Sequence, residues 1–215
     1  MAQISASILA CDAMRMGEQI LQAENGGADY IHVDIMDGVY VGNLSFGPQQ
    51  VRDIKAGCKL PVAVHLELLK PENFLNMFAE AGADILTFQL DACHNPIHFL
   101  KEIRKRGLQA GVGLGPSYSV EGLKYILHLT DRITLMSVEP GYGGQTFEES
   151  IYEKLQRVQE LLDVTGRDIP ISVDGGINRK NGKKLVECGA DVLIAGSTVF
   201  KGNDIGGNIR SLKEL

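Results

Sequence analysis

Short apolar segments rich in β-branched residues recur along the chain, and the stretches between them carry helical spacing. QISASIL (3–9), DYIHVD (29–34), PVAVHL (61–66), DILTFQL (84–90), QAGVGL (109–114), RITLMSV (132–138), IPISVD (169–174) and DVLIAG (191–196) predict eight strands. The intervening segments 12–24, 48–56, 71–80, 96–106, 119–129, 148–165, 179–187 and 205–214 predict helices. Pro71 and Pro96 stand where a first helical turn tolerates proline, and Asn95 and Ser119 are candidate N-caps. One corner repeats: GGADY, AGADI and CGADV at 26–30, 81–85 and 188–192. In each, a glycine would end a helix in the left-handed conformation and an Ala-Asp pair would lead into the next strand.

Eight alternations of strand and helix call for parallel strands joined by right-handed crossovers. The predicted fold class is therefore α/β, a single (β/α)8 TIM barrel spanning 1–215. A doubly wound open sheet is the alternative, but no GxGxxG follows the first strand. No linker, low-complexity tract or composition shift marks a second domain.

Composition narrows the partners. The formal net charge is −6, with no lysine- or arginine-rich run, which argues against nucleic acid and anionic membrane. Small anions stay open, because backbone amides bind phosphate whatever the net charge. The four cysteines (Cys11, Cys58, Cys93, Cys188) lack paired spacing and read as reduced, mostly buried thiols. MAQISASILACD has no basic leader region, Asp12 interrupts its apolar stretch, and no segment is apolar over a spanning length. A soluble, cytoplasmic protein is the expectation.

The polar residues inside these strands carry the chemistry. In IHVDIMDG (31–38), His32, Asp34 and Met36 share one face, and Val33 and Ile35 the other. Active groups of a barrel sit at the C-terminal ends of its strands. His32, Asp34, His65 and Asp174 would meet there from three strands, and two imidazoles with two carboxylates suit one divalent cation, Zn, Fe, Mn or Co. Taken singly, each reads better as a satisfied core histidine or a loop-capping aspartate; the convergence of four favours a site. The glycine-rich loops PGYGGQTF (140–147), DGGIN (174–178) and AGSTVF (195–200) would offer backbone N–H groups to phosphate, or serve as plain turns. His94, His98 and His128 read as surface residues, and neither Ser7 nor Ser137 lies in a nucleophile elbow.

SIL (7–9), HVDIMDG (32–38), VHL (64–66), MSVEPGYGGQTF (136–147), VDGGIN (173–178) and AGSTVF (195–200) together resemble the ribulose-phosphate 3-epimerase family, in order and spacing, from Ser7 to Phe200. The resemblance implies a metal-dependent barrel that inverts C3 of a ketose phosphate, interconverting ribulose and xylulose 5-phosphates. It implies that His32, Asp34, His65 and Asp174 bind the metal and that Asp34 and Asp174 exchange protons on opposite faces of an enediolate. Ser7 and His65 would touch substrate, Met36 and Met136 would line the site, and Gly141, Tyr142, Gly143, Gly144, Gly175, Gly176, Gly196 and Ser197 would surround the phosphate. Family members form dimers or larger assemblies, so a homo-oligomer is expected.

The chain departs from the family pattern at Glu67, where methionine is common, and at Gln89 and Asp91, where histidine and glutamate are common. Gly115 stands for asparagine in the loop after the fifth strand, and Gly42 for a proline before Asn43. Glu67, Gln89 and Gly115 are candidate specificity positions. Two other readings follow: a paralogous 3-epimerase for another ketose phosphate, such as allulose 6-phosphate, and a sugar-phosphate-binding paralogue without turnover. Intact Asp34 and Asp174 weigh against the second.

Overall fold

All eight predicted strands form and pair in chain order. The computed structural model describes residues 2–215. Strands β1 (Gln3–Ser7), β2 (Tyr30–Met36), β3 (Val62–Glu67), β4 (Ile85–Gln89), β5 (Gln109–Leu114), β6 (Arg132–Met136), β7 (Ile171–Asp174) and β8 (Val192–Ala195) run parallel and close into one barrel. Helices α1 (Met16–Asn25), α2 (Pro48–Gly57), α3 (Leu75–Ala81), α4 (Pro96–Lys105), α5 (Ile151–Thr165) and α6 (Arg179–Glu187) lie in six of the seven crossovers, and α7 (Ser197–Phe200) and α8 (Ile205–Lys213) follow β8.

Two faces of the same strands do different work. Outward residues such as Ile4, Ile31, Val33, Val64, Leu66, Leu86, Phe88, Val112, Leu135 and Val173 form one hydrophobic core with the helices. The alternate, inward positions are largely polar: Ser5, Ser7, His32, Asp34, His65, Glu67, Thr87, Gln89, Thr134, Ser172 and Asp174 are all buried. Apolar burial between sheet and helices supplies the stabilisation, which leaves the barrel interior free to hold chemistry. The glycines of β5 follow from this interior. A Cβ at Gly111 would clash with Thr87 Oγ1, and one at Gly113 would lie 3.1 Å from Gln89 Oε1.

The repeated corner is built as expected, with one addition. Gly27, Gly82 and Gly189 adopt φ of 92°, 97° and 100°. The aspartate that follows then accepts the amide opening the preceding strand: Ile4 N–H donates to Asp29, Val62 N–H to Asp84 and Ile171 N–H to Asp191, at 2.7–2.8 Å. Asp131 accepts from Ala110 N–H at 2.9 Å in the same way, without the glycine signal. Each carboxylate ties neighbouring strands at the N-terminal end and fixes their register.

The largest departure lies after β5. Residues 119–129 form two 3-10 segments, Val120–Tyr125 and Leu127–Leu129, instead of an α-helix. Gly122 lies inside the run, where glycine costs about 1 kcal/mol in an α-helix, and Ile126 breaks it at φ −123°, ψ −7°. Ser119 does cap this segment, accepting from Glu121 N–H, whereas the Asn95 side chain makes no capping bond at α4. The short α7 has too few residues to show a helical period in the sequence.

Candidate active site

The C-terminal ends of β2, β3 and β7 bring four donor side chains together. One donor atom each from His32, Asp34, His65 and Asp174 lies within 4.8 Å of the other three. His32 Nε2 is 2.8 Å from Asp34 Oδ1 and 3.4 Å from Asp174 Oδ2, and His65 Nδ1 is 3.3 and 3.7 Å from the same two oxygens. Strand periodicity explains the convergence: Asp34 and His65 are register partners across β2 and β3, and His32 lies two residues back on the same face.

Electrostatics binds the cluster. Burial works against a charged His32, but Asp34 and Asp174 outweigh it and raise its pKa well above the ordinary imidazole value. Burial likewise works against a charged His65, and the same two carboxylates raise its pKa. Burial opposes the Asp34 carboxylate too, yet His32 and His65 hold its pKa well below the usual range.

A divalent cation fits the donor set. Ligands about 2.1 Å from one ion stand about 3.0 to 4.2 Å apart, and three of the four imidazole–carboxylate separations fall in that range, the His32–Asp34 pair being closer. His65 Nδ1, facing the cluster, is buried without a hydrogen-bond partner. Mixed imidazole and carboxylate donors suit Zn, Fe, Mn or Co.

Above the cluster opens a cavity of about 440 Å³ lined by Ser7, Asp34, Met36, Glu67, Met136 and Asp174 toward the barrel axis. Its far side is lined by Gly141, Tyr142, Gly143 and Gly144, by Gly175 and Gly176, and by Gly196 and Ser197. Gly175 and Gly176 need positive φ, 112° and 60°, and the turn they make is held by Ser137, whose hydroxyl donates to the carbonyls of Asp174 and Gly175. That commitment leaves Ser137 no role as a nucleophile. Ser7 Oγ donates to Asp34 Oδ2 at 3.0 Å and so orients the carboxylate.

The loop after β6 is latched across the mouth. Asn43 Nδ2 donates to Gly141 O at 2.9 Å, and the Tyr142 hydroxyl donates to Gly42 O at 2.7 Å. Asn43, Glu139 and Gln145 also line the cavity, beyond the residues expected from sequence. Gln145 lies inside the PGYGGQTF segment and is readable there; Asn43 lies in an aperiodic loop with no local signal.

Of the three candidate specificity positions, only Glu67 lines the cavity. Its side chain is buried, with Oε2 unpartnered and Oε1 3.9 Å from His65 Nδ1. Burial first, and then the Asp34 charge, push its carboxyl up to about 8. Gln89 lies behind His65, fully buried, with its amide 3.1 Å from His65 Nε2. Gly115 is turned toward the Tyr118 ring, and its carbonyl accepts from Lys154 Nζ. His65 itself lies beneath the cavity lining. His94, His98 and His128 are exposed, as expected. Among the described residues no helix is long and apolar enough to cross a membrane.

These features define a (β/α)8 barrel whose mouth joins a cation-ready carboxylate–imidazole cluster to a ring of glycine loops. Solved structures share the fold: a mutant tryptophan synthase alpha-subunit from Pyrococcus furiosus superposes with a TM-score of 0.74 at 16% identity, covering 100% of this chain and 98% of that one. The sequence goes further than the fold. The model of the ribulose-phosphate 3-epimerase family matches residues 3–200, and the chain belongs to that family. The ribulose-phosphate 3-epimerase of Bacillus subtilis is 38% identical over 205 residues, 95% of this chain and 94% of its own. That of Synechocystis is 40% identical over 92% of this chain and 86% of its own, and the chloroplast enzyme of Arabidopsis thaliana 37% over 98% and 75%.

Proposed function

We propose that this protein is a metal-dependent 3-epimerase of a ketose phosphate, with D-ribulose 5-phosphate and D-xylulose 5-phosphate as the interconverted pair. The observation that carries the reading is the cavity itself, which joins two carboxylates, Asp34 and Asp174, to the glycine loops within one enclosure. A proton beside a carbonyl is a weak acid, so its removal needs a nearby base and stabilisation of the enediolate. In the barrel, β2 and β7 are separated by β1 and β8, so the two carboxylates reach the cavity from different sides. One aspartate then takes the C3 proton from one face while the other delivers a proton to the opposite face, which inverts the centre. Ser7 holds Asp34 for this transfer.

His32, Asp34, His65 and Asp174 would hold the cation. When bound, it supplies Lewis-acid stabilisation of the negative charge that builds on the sugar oxygens. Met36 and Met136 present apolar sulfur to the reacting carbons and exclude water. Backbone amides around Gly144, Gly176 and Ser197 receive the phosphate, on the side where barrels of this type commonly bind it.

Glu67 favours a second reading, a 3-epimerase for a different ketose phosphate such as allulose 6-phosphate. A buried carboxyl with a free oxygen at the cavity wall recognises a sugar hydroxyl far better than a methionine, whose thioether is only a weak acceptor. A homo-oligomer in the cytoplasm fits the family. Incubation with ribulose 5-phosphate in D₂O tests the proposal: deuterium should appear at C3. Exchange confined to a hexulose phosphate would select the second reading. Absence of exchange with any ketose phosphate would leave only a binding role.

A further inference from the structure

Two of the four unpartnered buried side-chain atoms among the described residues belong to a single contact. Gln89 Nε2 lies 3.1 Å from His65 Nε2, while Gln89 Oε1 and His65 Nδ1 each lack a partner. Neither side chain has any solvent exposure, so no bulk water supplies the missing bonds. The amide also has a place built for it. Gln89 pairs in register with Gly113 on β5, and a Cβ there would lie 3.1–3.2 Å from all three terminal atoms of the amide.

One change gives Gln89 Oε1 a donor and frees His65 Nδ1 for a ligand. With the amide N–H donating to His65 Nε2, a neutral His65 carries its proton on Nδ1, the atom that faces the donor cluster. A cation bound at Nδ1 requires the other tautomer, with Nε2 protonated, and that N–H would then meet the amide N–H head-on at 3.1 Å. Rotating the amide by half a turn exchanges its oxygen and nitrogen at almost no steric change. The oxygen then accepts from Nε2–H, and the Nδ1 lone pair points at the space shared with Asp34 and Asp174.

We infer that Gln89 is the positioning residue of the cation site: its amide oxygen accepts from His65 Nε2–H and fixes the tautomer whose Nδ1 is free to bind metal. The inference rests on the metal reading given above and adds to it the residue behind the ligand. Groups of this kind commonly set ligand affinity without touching the ion. It also explains why a residue lying at the end of a site strand does not reach the sugar cavity.

Long-range ¹H–¹⁵N NMR on the Zn²⁺-loaded wild-type chain reads the tautomer directly: His65 should carry its proton on Nε2. Competition with a chromogenic chelator should show Gln89→Met binding Zn²⁺ about tenfold to a hundredfold more weakly, with Gln89→Glu, which keeps an acceptor oxygen, close to wild type. A proton on Nδ1 in the loaded protein overturns the inference, as does a Gln89→Met affinity within about twofold of wild type. In both cases Zn²⁺ binding by the wild type leaves the metal reading standing. A wild-type chain that takes up no Zn²⁺, Mn²⁺, Fe²⁺ or Co²⁺ overturns the metal reading, and this inference with it. The wild-type tautomer decides the matter even if the methionine variant fails to fold.

Discussion

The two ends of the barrel interior are built from the same eight strands and are both polar, yet they have opposite characters. At the N-terminal end Arg132 donates to the Tyr30 hydroxyl at 2.5 Å and to Gln109 Oε1 at 2.9 Å, with its guanidinium 4.4 Å from the Tyr30 ring centre. The space left among Ser5, Tyr30, Thr87, Arg132, Thr134 and Ser172 is only about 20 Å³. At the C-terminal end the cavity is about 440 Å³, and His65 Nδ1 and Glu67 Oε2 are buried without partners. Buried polarity by itself therefore does not mark a site. Unsatisfied buried polarity beside open space does, because an orphaned polar atom costs about 1–3 kcal/mol and persists where a ligand completes it.

The largest test of this contrast removes the charge at the open end. Asp34→Asn and Asp174→Asn should each lower kcat for C3 epimerisation by about a thousandfold, within the span expected for loss of a general acid or base. Circular dichroism should show an intact fold, since neither residue belongs to the hydrophobic core. Near-normal turnover in either variant would break the assignment of two opposed proton-transfer groups.

Next in size is completion of the orphaned end. Saturating a metal-free preparation with Mn²⁺ or Zn²⁺ at about a hundred times Kd should add about 2.7 kcal/mol of stability. At this chain length that raises Tm by about 5–10 °C. The same shift should appear in Arg132→Met, because the added ligand acts at the other end. A chelator-treated sample with unchanged Tm on metal addition would contradict the cluster's role.

The glycine wall sits between these effects. In Gly175→Ala the new Cβ would lie 2.5 Å from Val138 Cγ2 on a backbone at φ 112°. The turn must move, so KM for the sugar phosphate should rise several-fold and stability should fall by about 1–3 kcal/mol. A purely structural glycine would lower Tm and leave KM alone.

Much of this contrast is legible along the chain, for a physical reason. Strand period 2 sorts IHVDIMD into an apolar outer face and a polar inner face, and β-strand geometry leaves no other arrangement. QAGVGL holds its glycines on the inner face as well, although the reason, room for Thr87 and Gln89, needs the neighbouring strand. Glu67 reads on the face of His65 and lies there. What the sequence hides depends on contacts remote along the chain. Gln89 reads as a sugar contact because strand four ends at it, but its reach carries the amide under His65. Asn43 gains its place through Gly141, 98 positions away. The 119–129 segment has helical spacing but also an interior glycine, and the spacing alone conceals the 3-10 outcome.

The smallest effect is expected at the closed end, and it tests the separation most sharply. Arg132 has no carboxylate within ion-pair distance among the described residues, so Arg132→Met removes a poorly compensated buried charge together with two hydrogen bonds. The hydrogen bonds contribute about 0.5–1.5 kcal/mol each and the cation–π contact about 0.5–1 kcal/mol, while relief of desolvation offsets part of this. A net loss of about 1–2 kcal/mol follows from those terms. Turnover should stay close to that of the wild type. One route could transmit more: His32 forms the floor of the mouth cluster and also borders the small void next to Arg132. If Arg132→Met lowers kcat by an order of magnitude with Tm nearly intact, the two ends are coupled through His32, and the barrel interior works as one polar network with a filled half and an open half.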